Sequence, residues 1–312
     1  MSRIIVIGGA NVDLCGSSIS PLRNYDSNPG EISISFGGVG RNIAQICALL
    51  KQNVSFVTCF SSDAYGTMMK EDCEKLGMDT SYSKVVDDLP SSMYIAILDS
   101  NRDMKIGMSD MRILRKMDHE MLDRVLSSCD PDDMIIIDAN LDLACIGYIL
   151  GHAGCAVAAD PVSANKASRM KPYLSRLTIF KPNQYEANEM NGIFIKDEAS
   201  AAESVAWYRK QGVKETIISM ADRGVVFGYD DTAVWLTHKP IQVANATGGG
   251  DTLLGAYVSY RLSGHSEMES IRYGMTAAAV NIEHDAVRRR SLDPLFIAES
   301  IENMKIKEKK LV

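Results

Sequence analysis

Short apolar runs alternate with amphipathic stretches along most of the chain. The runs at residues 3–7, 54–58, 134–137, 156–159, 177–180 and 216–219 are apolar on both faces and bounded by turn residues, the pattern of strands buried inside a parallel sheet. Helix-patterned segments separate most of them, so the spacing predicts a βαβ rhythm and a doubly wound α/β layer. Ligands of such a sheet gather beyond the carboxyl ends of its strands.

Two places break the rhythm. Residues 14–36 contain Pro21, Pro29 and the alternating run Glu31-Ile32-Ser33-Ile34-Ser35-Phe36, while residues 93–98 and 104–108 flank the turn-like Asp99-Ser100-Asn101-Arg102-Asp103. The second reads as a β-hairpin, and together they form either a small separate sheet over the site or an ordinary edge. From Thr252 the pattern turns helical, at 252–262, 268–283 and 293–304, and the lysine-rich ending 305–310 reads as a solvated tail. No linker, repeat or low-complexity segment interrupts the chain. Residues 1–312 therefore read as a single domain with lid segments near 14–36 and 90–109.

Composition narrows the partners. With 312 residues, 46% hydrophobic and 23% charged, the chain has ample material for a core, and its net charge of −7 disfavours the clustered Lys and Arg that nucleic acid requires. A small-molecule substrate fits better. The seven cysteines include no C-x-x-C pair and are odd in number, so they read as reduced core residues. The opening apolar run is too short for a signal segment, and no apolar stretch approaches the roughly 20 residues of a membrane span. The expected compartment is the cytoplasm, with no membrane partner.

Four segments carry chemistry. Asn245-Ala246-Thr247-Gly248-Gly249-Gly250-Asp251-Thr252 leads directly into a helix pattern. Its glycines let backbone approach an anion, and the helix aims free N–H groups and a positive dipole end at the same spot. Asp251 alone would read as a helix-capping acid. Phe36-Gly37-Gly38-Val39-Gly40-Arg41-Asn42 also precedes a helix, with the Asn42 amide in its first turn suited to hydroxyls. Asn11 and Asp13 lie two residues apart after the first strand, on one side if extended, although an Asx turn is the blander reading. Asn183 and Glu186, at i and i+3 after the run at 177–180, fit either a hydrated Mg²⁺ or an N-cap with its glutamate.

In this order and at this spacing, the four segments resemble the ribokinase-like, or PfkB, carbohydrate and nucleoside kinases over essentially the whole chain. The resemblance implies a three-layer α/β/α sandwich with a mostly parallel central sheet, a small β lid that often mediates homodimerisation, and transfer of the γ-phosphoryl group of ATP. It implies Asp251 as catalytic base and the N–H groups of Gly248, Gly249, Gly250 and Asp251 as an anion hole. Asn11, Asp13, Gly38 and Asn42 would hold the ribose. Thr247, Gly248 and Gly250, with Ser219 and Gly224, would serve the nucleotide, and Asn183 and Glu186 would serve Mg·ATP through water.

Some positions depart from the family pattern. Ala246 stands where Thr or Ser is usual, Gly249 where Ala is, Ala221 where Gly is, and Met275 where Asn often lies near adenine, which leaves nucleotide preference open. Asn245 replaces a frequent Asp near the family's monovalent-cation site, so K⁺ dependence is open too. Further segments resemble the branch of the family that phosphorylates pseudouridine: Ser27-Asn28-Pro29-Gly30, Ser109-Asp110-Met111, Asp138-Ala139-Asn140, Asp160-Pro161-Val162-Ser163 with Lys166, and Lys181-Pro182-Asn183. Within that resemblance Ser27, Asn28, Asn140 and Lys166 are the candidates for reading the base. The alternatives are another sugar or nucleoside kinase of this fold (ribose, adenosine, uridine or a ketose) and a non-catalytic ligand-binding homologue. A dinucleotide-binding dehydrogenase is excluded, because no G-x-G-x-x-G follows the first strand.

Overall fold

The computed structural model describes residues 2–244, 247–283 and 292–311. Asn245 and Ala246 lie outside the described residues, and so does the expectation attached to Asn245.

The strands are β1 (Ile4–Ile7), β2 (Asn11–Ser18), β3 (Gly30–Gly37), β4 (Val54–Val57), β5 (Cys59–Ser61), β6 (Lys84–Val86), β7 (Met93–Leu98), β8 (Met104–Asp110), β9 (Met134–Asp138), β10 (Ala156–Asp160), β11 (Ile179–Phe180), β12 (Glu215–Ser219), β13 (Val225–Tyr229), β14 (Thr232–Thr237) and β15 (Lys307–Lys310). The helices are α1 (Val39–Leu49), α2 (Ala64–Lys75), α3 (His119–Leu126), α4 (Leu143–His152), α5 (Ala164–Ala167), α6 (Gln184–Asn191), α7 (Glu198–Lys210), α8 (Gly249–Leu262), α9 (Glu267–Ile282) and α10 (Pro294–Ser300).

The large sheet runs β15-β14-β13-β12-β11-β10-β9-β1-β4. It is parallel from β4 to β12 and antiparallel from β12 to β15. Its strands are apolar on both faces because both are covered. Ile5, Ile7, Ile135 and Ile137 pack with Val125, Ile146 and Val205 from α3, α4 and α7. Ile4, Val6 and Ile136 pack with Ile43, Met69, Leu254 and Met275 from α1, α2, α8 and α9. Each such buried aliphatic side chain contributes about 2 kcal/mol, and the result is a three-layer α/β/α sandwich. At the carboxyl ends of its parallel strands lie Asp138, Asp160 and Ser219, and just past them Gly8 and Lys181.

A second sheet, β3-β2-β7-β8, stands apart. The hairpin expected at 93–108 is its β7–β8 pair. Its registers align Asp13 with Ser35 and Tyr94, and Leu14 with Ile34 and Ile95. One face is therefore polar and bears Asp13, while Leu14, Ile32, Ile34, Ile95, Ile106 and Met108 share the other. A small parallel pair, β5-β6, completes the strands among the described residues.

The C-terminal segment differs from expectation. Residues 307–310 form an edge strand on β14, with Glu308 opposite Leu236, where a solvated tail was predicted. Ile306 and Leu311 pack inward at either end, and Lys309 with Glu198 and Glu308 with Arg272 form ion pairs. Backbone pairing and two flanking apolar anchors outweigh the poor strand propensity of four charged residues.

Candidate active site

Asp138, at the end of β9, is fully buried. Its carboxylate accepts from the N–H groups of Gly9, Gly40 and Asn140, each at 2.8 Å. Burial pushes its carboxyl up, and those N–H groups oppose the shift. It ties the β1 exit, the start of α1 and the β9 exit into one floor. Gly8 lies so close that an added Cβ would fall 2.6 Å from the Asp138 Oδ2.

One side of the site is built on that floor. Gly38 opens α1 at φ 98°, and a Cβ there would meet the Gly9 carbonyl oxygen at 2.5 Å, so glycine is required on both counts. The first turn of α1 then places the Asn42 Nδ2 2.8 Å from Asp251 Oδ2, to which it donates. Asn11 and Asp13 share a face of β2, and the Asn11 amide donates to the Asp13 carboxylate. Asn140 packs against Gly9 and accepts from Lys166 Nζ at 2.6 Å. Burial lowers the Lys166 pKa and raises that of Asp13.

On the other side lies a cavity of about 590 Å³ lined by Asn183, Ser219, Gly224, Gly249, Gly250 and Met275 among others. Gly224 has φ 88°, and a Cβ there would fall 2.0 Å from the Leu236 carbonyl oxygen. Ala221, at φ 53°, also adopts a left-handed conformation, which explains physically why Gly is usual there. Asn183 caps α6 by accepting from the N–H groups of Tyr185 and Glu186 at 2.9 and 3.0 Å, while Glu186 Oε2 accepts from Asn183 N at 2.7 Å. The capping box is thus present in full, with Asn183 lining the cavity and Glu186 buried behind it. Glu186 is 4% exposed. Burial and then Asp160 push its carboxyl up to about 7, with Lys181 opposing.

Asp251 stands between the two sides. Gly248, at φ 79°, caps α8, and Gly249, Gly250 and Asp251 form its first turn, whose N–H groups have no intrahelical partner. Burial, then Asp160, push the Asp251 carboxyl up to about 7, against the Asn42 hydrogen bond and the Lys181 charge. Thr247 leads into this turn. The arrangement can take a proton from a hydroxyl at Asp251 and hold an anion at the adjacent N–H groups.

Ser27 and Asn28 are not brought to this group. They lie in the turn beyond Ser18–Gly30, at the opposite end of the β2–β3 pair from Asn11, about 23 Å of extended strand away. The Asn28 side chain is taken up locally, accepting from Arg23 N at 2.7 Å and donating to Arg23 O at 3.0 Å.

Several charged residues were assigned no role from sequence. Lys181 is buried beside Asp160 at 2.8 Å. Arg41 is 1% exposed, donates to Phe36 O at 2.9 Å and pairs with Asp72, anchoring the end of β3. Their signal is a charge next to an apolar run, where burial without a partner would be costly. Among the described residues no group of three or more His, Cys, Asp or Glu side chains is arranged to hold a metal ion.

The chain is 28% identical over 302 residues to pseudouridine kinase of Escherichia coli (strain K12), covering 96% of each. It is 26% identical over 289 residues to guanosine-inosine kinase of Exiguobacterium acetylicum, covering 89% of this chain and 94% of the relative. Arabidopsis thaliana ribokinase, solved with ribose and ATP, shares the fold with a TM-score of 0.84 at 19% identity, over 97% of this chain and 99% of that one. A carbohydrate kinase from Agrobacterium tumefaciens has a TM-score of 0.81 at 23% identity, over 99% and 100% of the two chains. The ribokinase-like fold is therefore established. A sequence model described as pfkB family carbohydrate kinase matches residues 1–293, and the chain belongs to that family of phosphotransferases with an alcohol group as acceptor.

Proposed function

We propose that this enzyme transfers the γ-phosphoryl group of ATP to the 5′-hydroxyl of pseudouridine, giving pseudouridine 5′-phosphate and ADP. The observation that carries the kinase chemistry is the 2.8 Å hydrogen bond from Asn42 to Asp251, which joins the hydroxyl-binding side to the first turn of α8. Asp251 takes the proton of the attacking hydroxyl. The N–H groups of Gly248 to Asp251 hold the negative charge that develops on the transferred group, and the chain contributes positioning and charge rather than a covalent bond.

The cavity suits ATP. Its volume of about 590 Å³ and its apolar walls at Leu253, Met275 and Ala279 suit a flat base, while Ser219, Gly224 and Gly250 line it where phosphates would lie, and Thr247 and Gly248 lead into the same turn of α8. Bound ATP supplies the phosphoryl group, and Mg²⁺ neutralises phosphate charge. Glu186 and Asn183 would hold Mg²⁺ through water, which agrees with both being occupied in capping rather than free for direct ligation. A monovalent cation such as K⁺ belongs to the same reading: Asn281 Oδ1, buried and without a hydrogen-bond partner among the described residues, lies near the Gly248 carbonyl.

Two observations support pseudouridine. One is the relative at 28% identity over 96% of both chains. The other is the Lys166–Asn140 pair at 2.6 Å, a donor and an acceptor set against Gly9 where a base edge needs polar partners. Asn11, Asp13, Gly38 and Asn42 hold the ribose. Ser27 and Asn28 add base contacts only if the lid turn comes nearer than it stands here. The apolar outer face of the small sheet, with Ile32 77% and Met108 66% exposed, supports its role as a lid that pairs with a second copy in a homodimer. Seven free cysteines suit the reducing cytoplasm.

Initial rates of ADP release with pseudouridine, uridine, inosine, adenosine, ribose and fructose 6-phosphate test the substrate. Pseudouridine should give the highest kcat/KM. A higher value for ribose or adenosine overturns it, and a higher value for inosine selects the second reading, favoured by the guanosine-inosine kinase likeness.

A further inference from the structure

Lys181 follows β11 and is 4% exposed. Its ammonium lies 2.8 Å from Asp160 Oδ2, and a Cβ added to Gly250 would fall 2.9 Å from the same Nζ. The cation therefore rests against Gly250 in the first turn of α8. That is an awkward place for a purely structural cation, because the positive end of the helix dipole opposes it and burying an ammonium is costly before pairing. One carboxylate would satisfy it. Here Asp160 pairs with it at 2.8 Å, and the charges of Glu186 and Asp251 act on it as well. Positive charge at a helix N-terminus is useful where an anion arrives at that same turn.

We propose that Lys181 is a positioning residue for phosphoryl transfer: held by Asp160 against the backbone of Gly250, its ammonium fixes the first turn of α8 so that the Gly249–Asp251 N–H groups face the transferred group, and it supplies positive charge behind them. The inference rests on the reading of that turn as the anion hole with Asp251 as base. Lys181 forms and breaks no covalent bond, and the hydroxyl proton goes to Asp251.

Three variants test it: Lys181→Met, the double variant Asp160→Asn/Lys181→Met, and Gly250→Ala, each assayed for kcat, acceptor KM and thermal midpoint. Lys181→Met should lower kcat about 100-fold, the loss seen when one anion-hole donor is removed, with acceptor KM within about threefold. It should also destabilise the fold by leaving Asp160 buried and unpaired. The double variant removes that unpaired charge, so its thermal midpoint should recover while kcat stays low. Recovery of kcat together with the midpoint would show that Lys181 serves only as a partner for Asp160 and would overturn the inference. Gly250→Ala keeps the ion pair but forces the ammonium from the turn. Its kcat should also fall, and a wild-type kcat there overturns the inference even if neither lysine variant folds. Asp251→Asn, assayed in parallel, separates the two readings: an active Asp251→Asn sinks the base assignment, whereas an inactive one beside a fully active double variant sinks the Lys181 assignment alone.

Discussion

Replacing Asp251 with Asn removes a charge while keeping an oxygen to accept from Asn42, which donates to Asp251 Oδ2 at 2.8 Å. Burial and Asp160 raise the Asp251 carboxyl from 3.8 to about 7. The native state therefore binds more protons than the unfolded chain between about pH 4 and pH 7, and stability falls as pH rises through that window. At 1.36 kcal/mol per unit the nominal cost of the ionised carboxylate at pH 8 is about 4 kcal/mol. Asp251 is partly exposed and shares Lys181 with Glu186, so the gain expected on neutralisation is about 1–3 kcal/mol. For a chain of this size that is a rise of about 2–6 °C in thermal midpoint. Ligand-free thermal unfolding of wild type and Asp251→Asn at pH 5 and pH 8 reads it, with the advantage of the variant growing from pH 5 to pH 8. The same substitution should lower kcat by about 10²–10⁴. A variant no more stable than wild type at pH 8, or an advantage that shrinks with rising pH, would refute the reasoning.

Because Asp251 must be ionised to accept a proton, kcat/KM should rise with pH to a plateau with a midpoint near 7; a midpoint near 4 would remove Asp251 from the role. Ala221→Gly relieves a left-handed alanine at φ 53° and should add about 0.5 kcal/mol in urea unfolding, the strain relieved exceeding the extra unfolded-state entropy. Gly224→Ala should cost at least about 2 kcal/mol, since the new Cβ would fall 2.0 Å from Leu236 O at φ 88°; an unchanged midpoint would contradict that geometry. Ile106→Lys places a charge on the open apolar face of the small sheet and should leave a folded monomer in sedimentation velocity, whereas a wild type that is itself monomeric refutes the lid-to-lid dimer.

The parallel half of the large sheet was legible because each strand is apolar on both faces. The antiparallel half was not. β13 has Gly228 in its interior, and β15 is four charged residues whose place depends on the free edge of β14, information that no local window contains. The candidate site was legible as motifs, since Gly38, Gly224 and Gly248 mark positive φ in the structure. What spacing could not give is contact: Asn42 and Asp251 are 209 residues apart and meet only because α1 and α8 pack on the same face of the sheet. Ser27 and Asn28 show the converse, for their turn closes on its own Arg23 and leaves the site.

Two aspartates of this site show why residue type and burial alone do not assign a role. Asp138 is fully buried and also raised, yet its carboxylate accepts three backbone N–H groups at 2.8 Å, so its lone pairs are committed and it binds the floor together. Asp251 has the Asn42 amide as its hydrogen-bond donor and is pushed up to about 7 by burial and Asp160. It lies on the first turn of α8 beside the 590 Å³ cavity, with lone pairs left for an incoming hydroxyl. The number of donors already engaged separates the scaffold acid from the proposed base. By the same measure Glu186, with the Asn183 N–H as its one donor, falls with Asp251 and not with Asp138, although the oxygen it spends closes the capping box of α6.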